Sequence, residues 1–279
     1  MSGSLTPNEI ADALEVLLND PEVGENALQD FLETHTEAVL TPHLLNHRLH
    51  FGSLISKFRI GGLSTDFAYL TKSSDIWRLV LVELEAPQKQ IFKKSGKHEA
   101  TTSEFNDAIA QVHAWRDLAS ADMAGIQKRI APLQAHMAKN ALEIWYVLVI
   151  GRDKELKNQD RRQRRLAGYL QSEKMQVLTW DSLLRELRER SVDRKCVLSE
   201  TSRGFRIKHM DRIPPLIFGW VGPGHLEVAE PELTALKAAG YHMDEWREGE
   251  LLTFNEKMPS RLGRDAFRAA LVSARAKAK

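Results

Sequence analysis

Glu83 and Glu85 stand two residues apart at the end of an apolar run, Leu79-Val80-Leu81-Val82, that has no polar break. In an extended strand, residues two apart face the same side, so both carboxylates share a face with Leu81. A buried, unpaired carboxylate is costly. The end of such a strand is therefore either wet or built to hold something positive. Asp66 extends the set. When LSTDFAYL and IWRLVLVELE pair as a hairpin with the turn near residue 73 or 74, Asp66 lies opposite about residue 81. It then shares the Glu83 face at roughly 5–8 Å, and a one-residue slip would reverse that. In this register three carboxylates converge at one end of a sheet. Their repulsion asks for a cation, and a hard divalent ion such as Mg²⁺ takes oxygen ligands of this kind. A solvated strand end, or glutamates matched to Arg59 or Arg78, would carry the same spacing.

Positive charge comes from two clusters. Lys89, Lys93, Lys94 and Lys97 follow the carboxylates, and RRQRR, headed by Arg161 and Arg162, lies further on. Such side chains on phosphates give salt-dependent, sequence-independent binding. A solvated helix face paired with Asp160 would read the same way. His35, His43, His47 and His50 are near one another in sequence, but no pair sits on a ligand face, and they read as surface or core residues.

The elements that must position these groups can be traced along the chain. The 279 residues, 43% hydrophobic and 28% charged, can bury a real core, and the net charge of +1 leaves any basic surface local. The single cysteine, Cys196, excludes an internal disulfide and a cysteine metal cage, and fits a reducing cytosol. The polar, acidic first residues and the short apolar runs predict a soluble, cytoplasmic protein. Thr6-Pro7 reads as a helix start, and a second helix spans about 25–39, before Pro42. RLHFGSLISKFRI, LSTDFAYL and IWRLVLVELE then form a three-stranded meander. SEFNDAIAQVHAWRDLA is an amphipathic helix with Ser103 as its cap. The apolar strand IWYVLVIG follows it, and the helical crossover makes this strand parallel to the third. A basic helix near 161–171, the strand MQVLTW and a helix capped by Asp181 complete the order. The pattern is a mixed α/β layer. Beyond about residue 200, prolines and glycines become frequent, which predicts an N-terminal helix over 1–24, a core domain over 25–199 and an appended module over 200–279.

TDFAYL, VLVELEAPQKQIF and EFNDAIAQVHAW, in this order, resemble the PD-(D/E)XK nuclease superfamily and, more narrowly, the Shedu family of anti-phage defence nucleases. The resemblance covers roughly 25–190. It implies a restriction-endonuclease-like core, with a mixed central sheet flanked by helices, and hydrolysis of DNA phosphodiesters with Mg²⁺ or Mn²⁺. Asp66 corresponds to the first acidic position, Glu83 to the second, and Gln111 to the glutamine of the following helix. The third position, commonly lysine, is Glu85 here, as in some restriction-type enzymes, with Lys89 or Lys93 able to swing in. Asp66, Glu83 and Glu85 would hold the metal. Glu37 on the leading helix is a further candidate, although a solvated helix-end glutamate is the simpler reading. Lys89, Lys93, Lys94, Arg161 and Arg162 would meet DNA. The resemblance also implies a homo-oligomer, a tetramer. The alternative is a catalytically weakened nuclease fold that binds DNA or a partner protein. A glycosidase is disfavoured, because Glu83 and Glu85 sit side by side on one strand instead of flanking a sugar cleft.

Overall fold

A computed structural model describes residues 5–94, 100–157, 159–189, 193–210, 216–253 and 257–259. Its first helix, α1 (Pro7–Asn19), starts in a capping box: Thr6 Oγ1 accepts from the Glu9 amide, and the Glu9 carboxylate accepts from the Thr6 amide at 2.7 Å. The second, α2 (Glu25–Thr34), ends earlier than its hydrophobic spacing predicts, and a 3₁₀ turn at Thr36–Ala38 continues it.

The sheet strands are β1 (Ser53–Ser56), β2 (Phe67–Lys72), β3 (Ile76–Leu84), β4 (Ala141–Val149), β5 (Met175–Leu178), β6 (Cys196–Glu200), β7 (Phe205–His209) and β8 (Leu226–Glu227). Among the described residues they form one sheet in the order β8-β7-β6-β1-β2-β3-β4-β5. The β1–β2–β3 meander is antiparallel, as expected, and β3 and β4 are parallel across a helical crossover. The sheet is therefore mixed. It also continues past residue 200, because β7 and β8 extend it from the edge of β6.

Some expectations are corrected. The stretch 48–60 is not one strand. Gly52 (φ 58°) and Lys57 (φ 51°) adopt left-handed backbone on either side of β1 and interrupt the extended run. Arg59–Ile60 then forms a small separate hairpin with Leu63–Ser64. The helix α3 (Ser103–Ala121) is capped by Thr102, not Ser103: Thr102 Oγ1 accepts from the Phe105 amide at 3.1 Å.

The period-2 pattern of β3 sorts its side chains to two cores. Leu79 and Leu81 join Ile144, Tyr146 and Leu148 on one face, beneath α3 and α4 (Met123–Gln134), which contribute Phe105, Val112, Trp115 and Ile130. Val80, Val82 and Leu84 join Val147 and Val149 on the other, beneath α1, α2 and α6 (Trp180–Glu189), which contribute Leu14, Leu28, Leu32 and Leu183. Asp181 lies inside the first turn of α6 instead of capping it. Its carboxylate is taken by Arg152, with both contacts at 3.0 Å, and by the Asp153 amide at 2.6 Å. The basic helix α5 (Asp160–Glu173) leads into β5. Among the described residues, no helix is long and apolar enough to cross a membrane.

Candidate functional site

The β2–β3 pairing decides where the first carboxylate stands. Phe67 pairs with Val82 and Lys72 with Trp77, so the register is displaced by two residues from the expected one. The even displacement keeps the side-chain alternation and brings Asp66 beside the very end of β3. The Asp66 amide donates to the Val82 carbonyl at 3.1 Å, and Asp66 Oδ2 accepts from the Leu84 amide at 2.7 Å. Asp66 Oδ1 accepts from Lys57 Nζ at 2.8 Å. Burial raises the Asp66 pKa, against the opposing pull of Lys57 and the Leu84 amide.

Glu83 is 7% exposed and accepts a hydrogen bond from Gln111 Nε2 on α3. Burial, then the charges of Asp66, Glu85 and Glu25, push its pKa up to about 9. Glu85 is 6% exposed. Its backbone is fixed on both sides, the amide donating to the Val149 carbonyl at 2.8 Å and the carbonyl accepting from Trp180 Nε1 at 2.8 Å. The Glu85 carboxylate pairs with Lys89. Burial lifts its pKa to about 7, with Lys89 opposing and Glu25 reinforcing the rise. The structure thus brings Asp66, Glu83, Glu85 and Gln111 to one end of β3, with the Lys89 ammonium among them.

Glu25, the first residue of α2, is the group that sequence reasoning missed. Lys89 Nζ lies 2.8 Å from its carboxylate. Burial alone would raise the Glu25 pKa, but its hydrogen bonds and the Lys89 charge outweigh that and lower it. A signal was present in the sequence: Glu25, Gln29 and Glu33 fall four residues apart, a polar stripe on one helix face. Gln29 and Glu33 are 5% and 6% exposed. Gln29 Nε2 reaches the Asp66 carbonyl at 3.4 Å, while Glu33 accepts from Ser56 and pairs with Lys208. Glu37 is not part of this group. It lies in the 3₁₀ turn after α2, where its charge acts on Lys195.

The two basic clusters, separate in sequence, meet in space. Glu155 accepts from the Ile91 and Phe92 amides at 3.3 and 2.9 Å and so pins the loop after β3. The Arg162 guanidinium sits 4.9 Å from the Phe92 ring centre and donates to the Glu155 carbonyl at 3.0 Å. Lys93, Lys94 and Arg161 are exposed beside this contact, and Lys97 lies outside the described residues. Gly151 (φ 67°) permits the close approach of the loop, since a Cβ there would lie 2.8 Å from the Lys89 carbonyl oxygen.

A divalent ion was expected at the acidic group. Among the described residues, no three His, Cys, Asp or Glu side chains stand as a ready cage. Lys57 and Lys89 hold carboxylate oxygens that a metal would use. The donor chemistry does fit a hard cation. All the candidate ligands are carboxylates, and burial, with the charges of Asp66, Glu85 and Glu25 behind it, raises the Glu83 pKa, so a cation there would be favourable.

Fold and site together define a mixed α/β protein with an acidic, oxygen-donor cluster at a strand end and a basic loop and helix beside it. The family described as Shedu protein SduA, C-terminal, matches residues 22–184, a span that holds every residue of this cluster. The chain belongs to the Shedu family, which places it in anti-phage defence. No curated protein matches it.

Proposed function

We propose that the chain is a metal-dependent DNA endonuclease, with Asp66, Glu83 and Glu85 as its acidic centre. The observation that carries this reading is the meeting of these three carboxylates with Gln111 and Lys89 at the end of β3. Mg²⁺ or Mn²⁺ held by Asp66 and Glu83, with Glu85 beside them, would neutralise phosphate charge and supply an acidified water. Gln111 orients the Glu83 carboxylate by donating to it. Lys89 places an ammonium next to Glu85 and supplies the cation that the superfamily more often carries at the Glu85 position itself. Burial raises the Glu85 pKa above its ordinary value, which would make its carboxylate a stronger base toward water than a solvated glutamate. Lys93 and Lys94, exposed on the loop after β3, and Arg161, exposed on α5, would meet phosphates. The family resemblance adds a homotetramer, which light scattering of the purified chain tests.

One observation favours the second reading, a nuclease fold that binds DNA or a partner without cutting. Lys57 and Lys89 already neutralise Asp66 and Glu85. Supercoiled plasmid incubated with the chain in Mg²⁺, Mn²⁺ or a chelator separates the two. Metal-dependent nicking that disappears in Asp66→Asn supports the nuclease. Plasmid binding without cleavage in either metal supports the binding module.

A further inference from the structure

A cavity of about 960 Å³ opens at the other end of the β2–β3 hairpin. Lys72, at its wall, closes the six-residue strand β2 that begins beside Asp66, so the two sites are roughly 20 Å apart at about 3.3 Å per residue. The volume falls within the range of small-molecule sites, about 300–1,000 Å³.

The charge of its lining is one-sided. Arg48, Lys72, Arg194 and Lys195 border it, with Asp193 as the one acidic residue, whereas the whole chain carries a net charge of only +1. Arg48, Lys72 and Lys195 form no ion pair among the described residues. Lys195 is 8% exposed, and its ammonium donates to the Thr36 carbonyl at 2.9 Å. Lys72 Nζ lies over the Trp220 ring at 5.4 Å, and His50 and Phe51 stand edge-on to the same indole at 5.5 and 5.8 Å. One wall is also held in costly backbone: Asn46, His47 and Phe51 have φ of 53°, 54° and 54°. Non-glycine residues in left-handed backbone are strained and persist where the surroundings impose them, which is common at ligand sites.

We propose that this cavity binds a nucleotide, with phosphate against Arg48, Lys72 and Lys195 and the base against Trp220 and Phe51. The cations account for a multiply charged anion, and the rings account for a flat aromatic group attached to it. A DNA duplex fits less well. It keeps its bases stacked inward and would offer the rings no flat face. Nucleotide binding here does not depend on the nuclease reading; under that reading, the distance from Asp66 makes the nucleotide an effector and not the substrate.

The test uses the full chain in a chelator, so that binding is read without cleavage. ATP, GTP and inorganic tripolyphosphate are titrated by calorimetry and by tryptophan fluorescence. The expected result is binding of ATP or GTP with Kd below about 100 μM, with quenching of tryptophan emission, and weaker binding of tripolyphosphate. Arg48→Glu, an exposed substitution, and Lys72→Met should each weaken it at least about tenfold, or about 1.4 kcal/mol. Equal melting temperatures would show both variants folded. No nucleotide binding up to about 1 mM overturns the proposal. So do affinities unchanged in both variants, tripolyphosphate binding as tightly as ATP, or a short duplex that binds through Arg48 while no nucleotide does.

Discussion

Lys89 lies four residues beyond Glu85 and folds back to form an ion pair with it, while Glu25 of α2 holds the same ammonium at 2.8 Å. The pair joins one almost fully buried partner to one that is 31% exposed. The two carboxylates hold the Lys89 pKa above its ordinary value, although burial pulls the other way.

Removal of that ammonium should be felt in both stability and activity. Lys89→Met leaves Glu85 buried without its cation. Because Lys89 is partly solvated, the expected loss is about 1–3 kcal/mol, less than for a fully buried pair. Adding Glu85→Gln should recover most of it. Urea unfolding of both singles and the double variant gives the coupling, and strictly additive losses would show that the two side chains act independently. Cleavage by Lys89→Met should fall at least about tenfold if the ammonium serves the reaction, about 1.4 kcal/mol in barrier.

The raised acids fix the sign of the pH dependence. In the unfolded chain Glu83 and Glu85 return to the ordinary 4.5, whereas folded they stand near 9 and 7. Between those limits these two groups bind more protons in the folded than in the unfolded protein, so their contribution is full below about 4.5 and is lost as pH rises toward 9, while His43 and His50, pushed down to about 4 by burial, act the other way below 6.5. Asp66, also raised, adds in the same direction. Metal-free protein should melt at least about 3 °C lower at about pH 8.5 than at about pH 5.5, the shift that roughly 1 kcal/mol gives in a chain of this size. Glu83→Gln should flatten the profile and raise the melting temperature at high pH. Millimolar Mg²⁺ should do the same for the wild type. A wild-type profile without slope would remove the charge crowding from the account.

Gly151→Ala tests how the lysine loop is held. The position has φ 67°, and the new methyl would meet the Lys89 carbonyl oxygen at 2.8 Å. The left-handed backbone alone costs about 1–2 kcal/mol, and the loop must shift as well. Thermal melts should show a destabilisation of at least that size. Cleavage should slow more than DNA affinity falls. Unchanged melting would mean that the loop has room to move.

Arg161→Glu tests the basic surface with little structural risk, because Arg161 is exposed whereas Arg162 packs over Phe92. DNA affinity should drop for every sequence tried, and the slope of log affinity against log salt should shrink by about 1. Matching salt slopes for variant and wild type would place this helix away from DNA.

Local patterning accounts for what could be read from the chain. The alternation of Leu79 to Glu85, the helical spacing of Phe105, Ala108, Ile109 and Val112, and the apolar run of β4 identify the mixed layer, because each pattern repeats with the period of its own element. The same alternation put Glu83 and Glu85 at one strand end, and the order of motifs pointed to Shedu. The cap at Thr102 and the left-handed residues around β1 were not readable, since single-residue backbone states leave little trace in composition.

Other features arise only from contacts between distant segments. The hairpin register moved by two residues because pairing follows the fit of β2 against β3 and not the centre of a guessed turn. Glu25 joined the acidic group because the first turn of α2 reaches the end of the sheet, where Lys89 bridges it to Glu85. Glu37, on the same stretch of chain, was carried instead to Lys195. The meeting of Arg162 with Phe92, and the nucleotide-sized cavity around Trp220, each join residues dozens of positions apart. Sequence fixes which side chains are available and which local face each occupies. Packing of the apolar faces fixes which of them meet, because burial of Leu, Val and Trp side chains dominates the free energy and the polar groups take the places that it leaves.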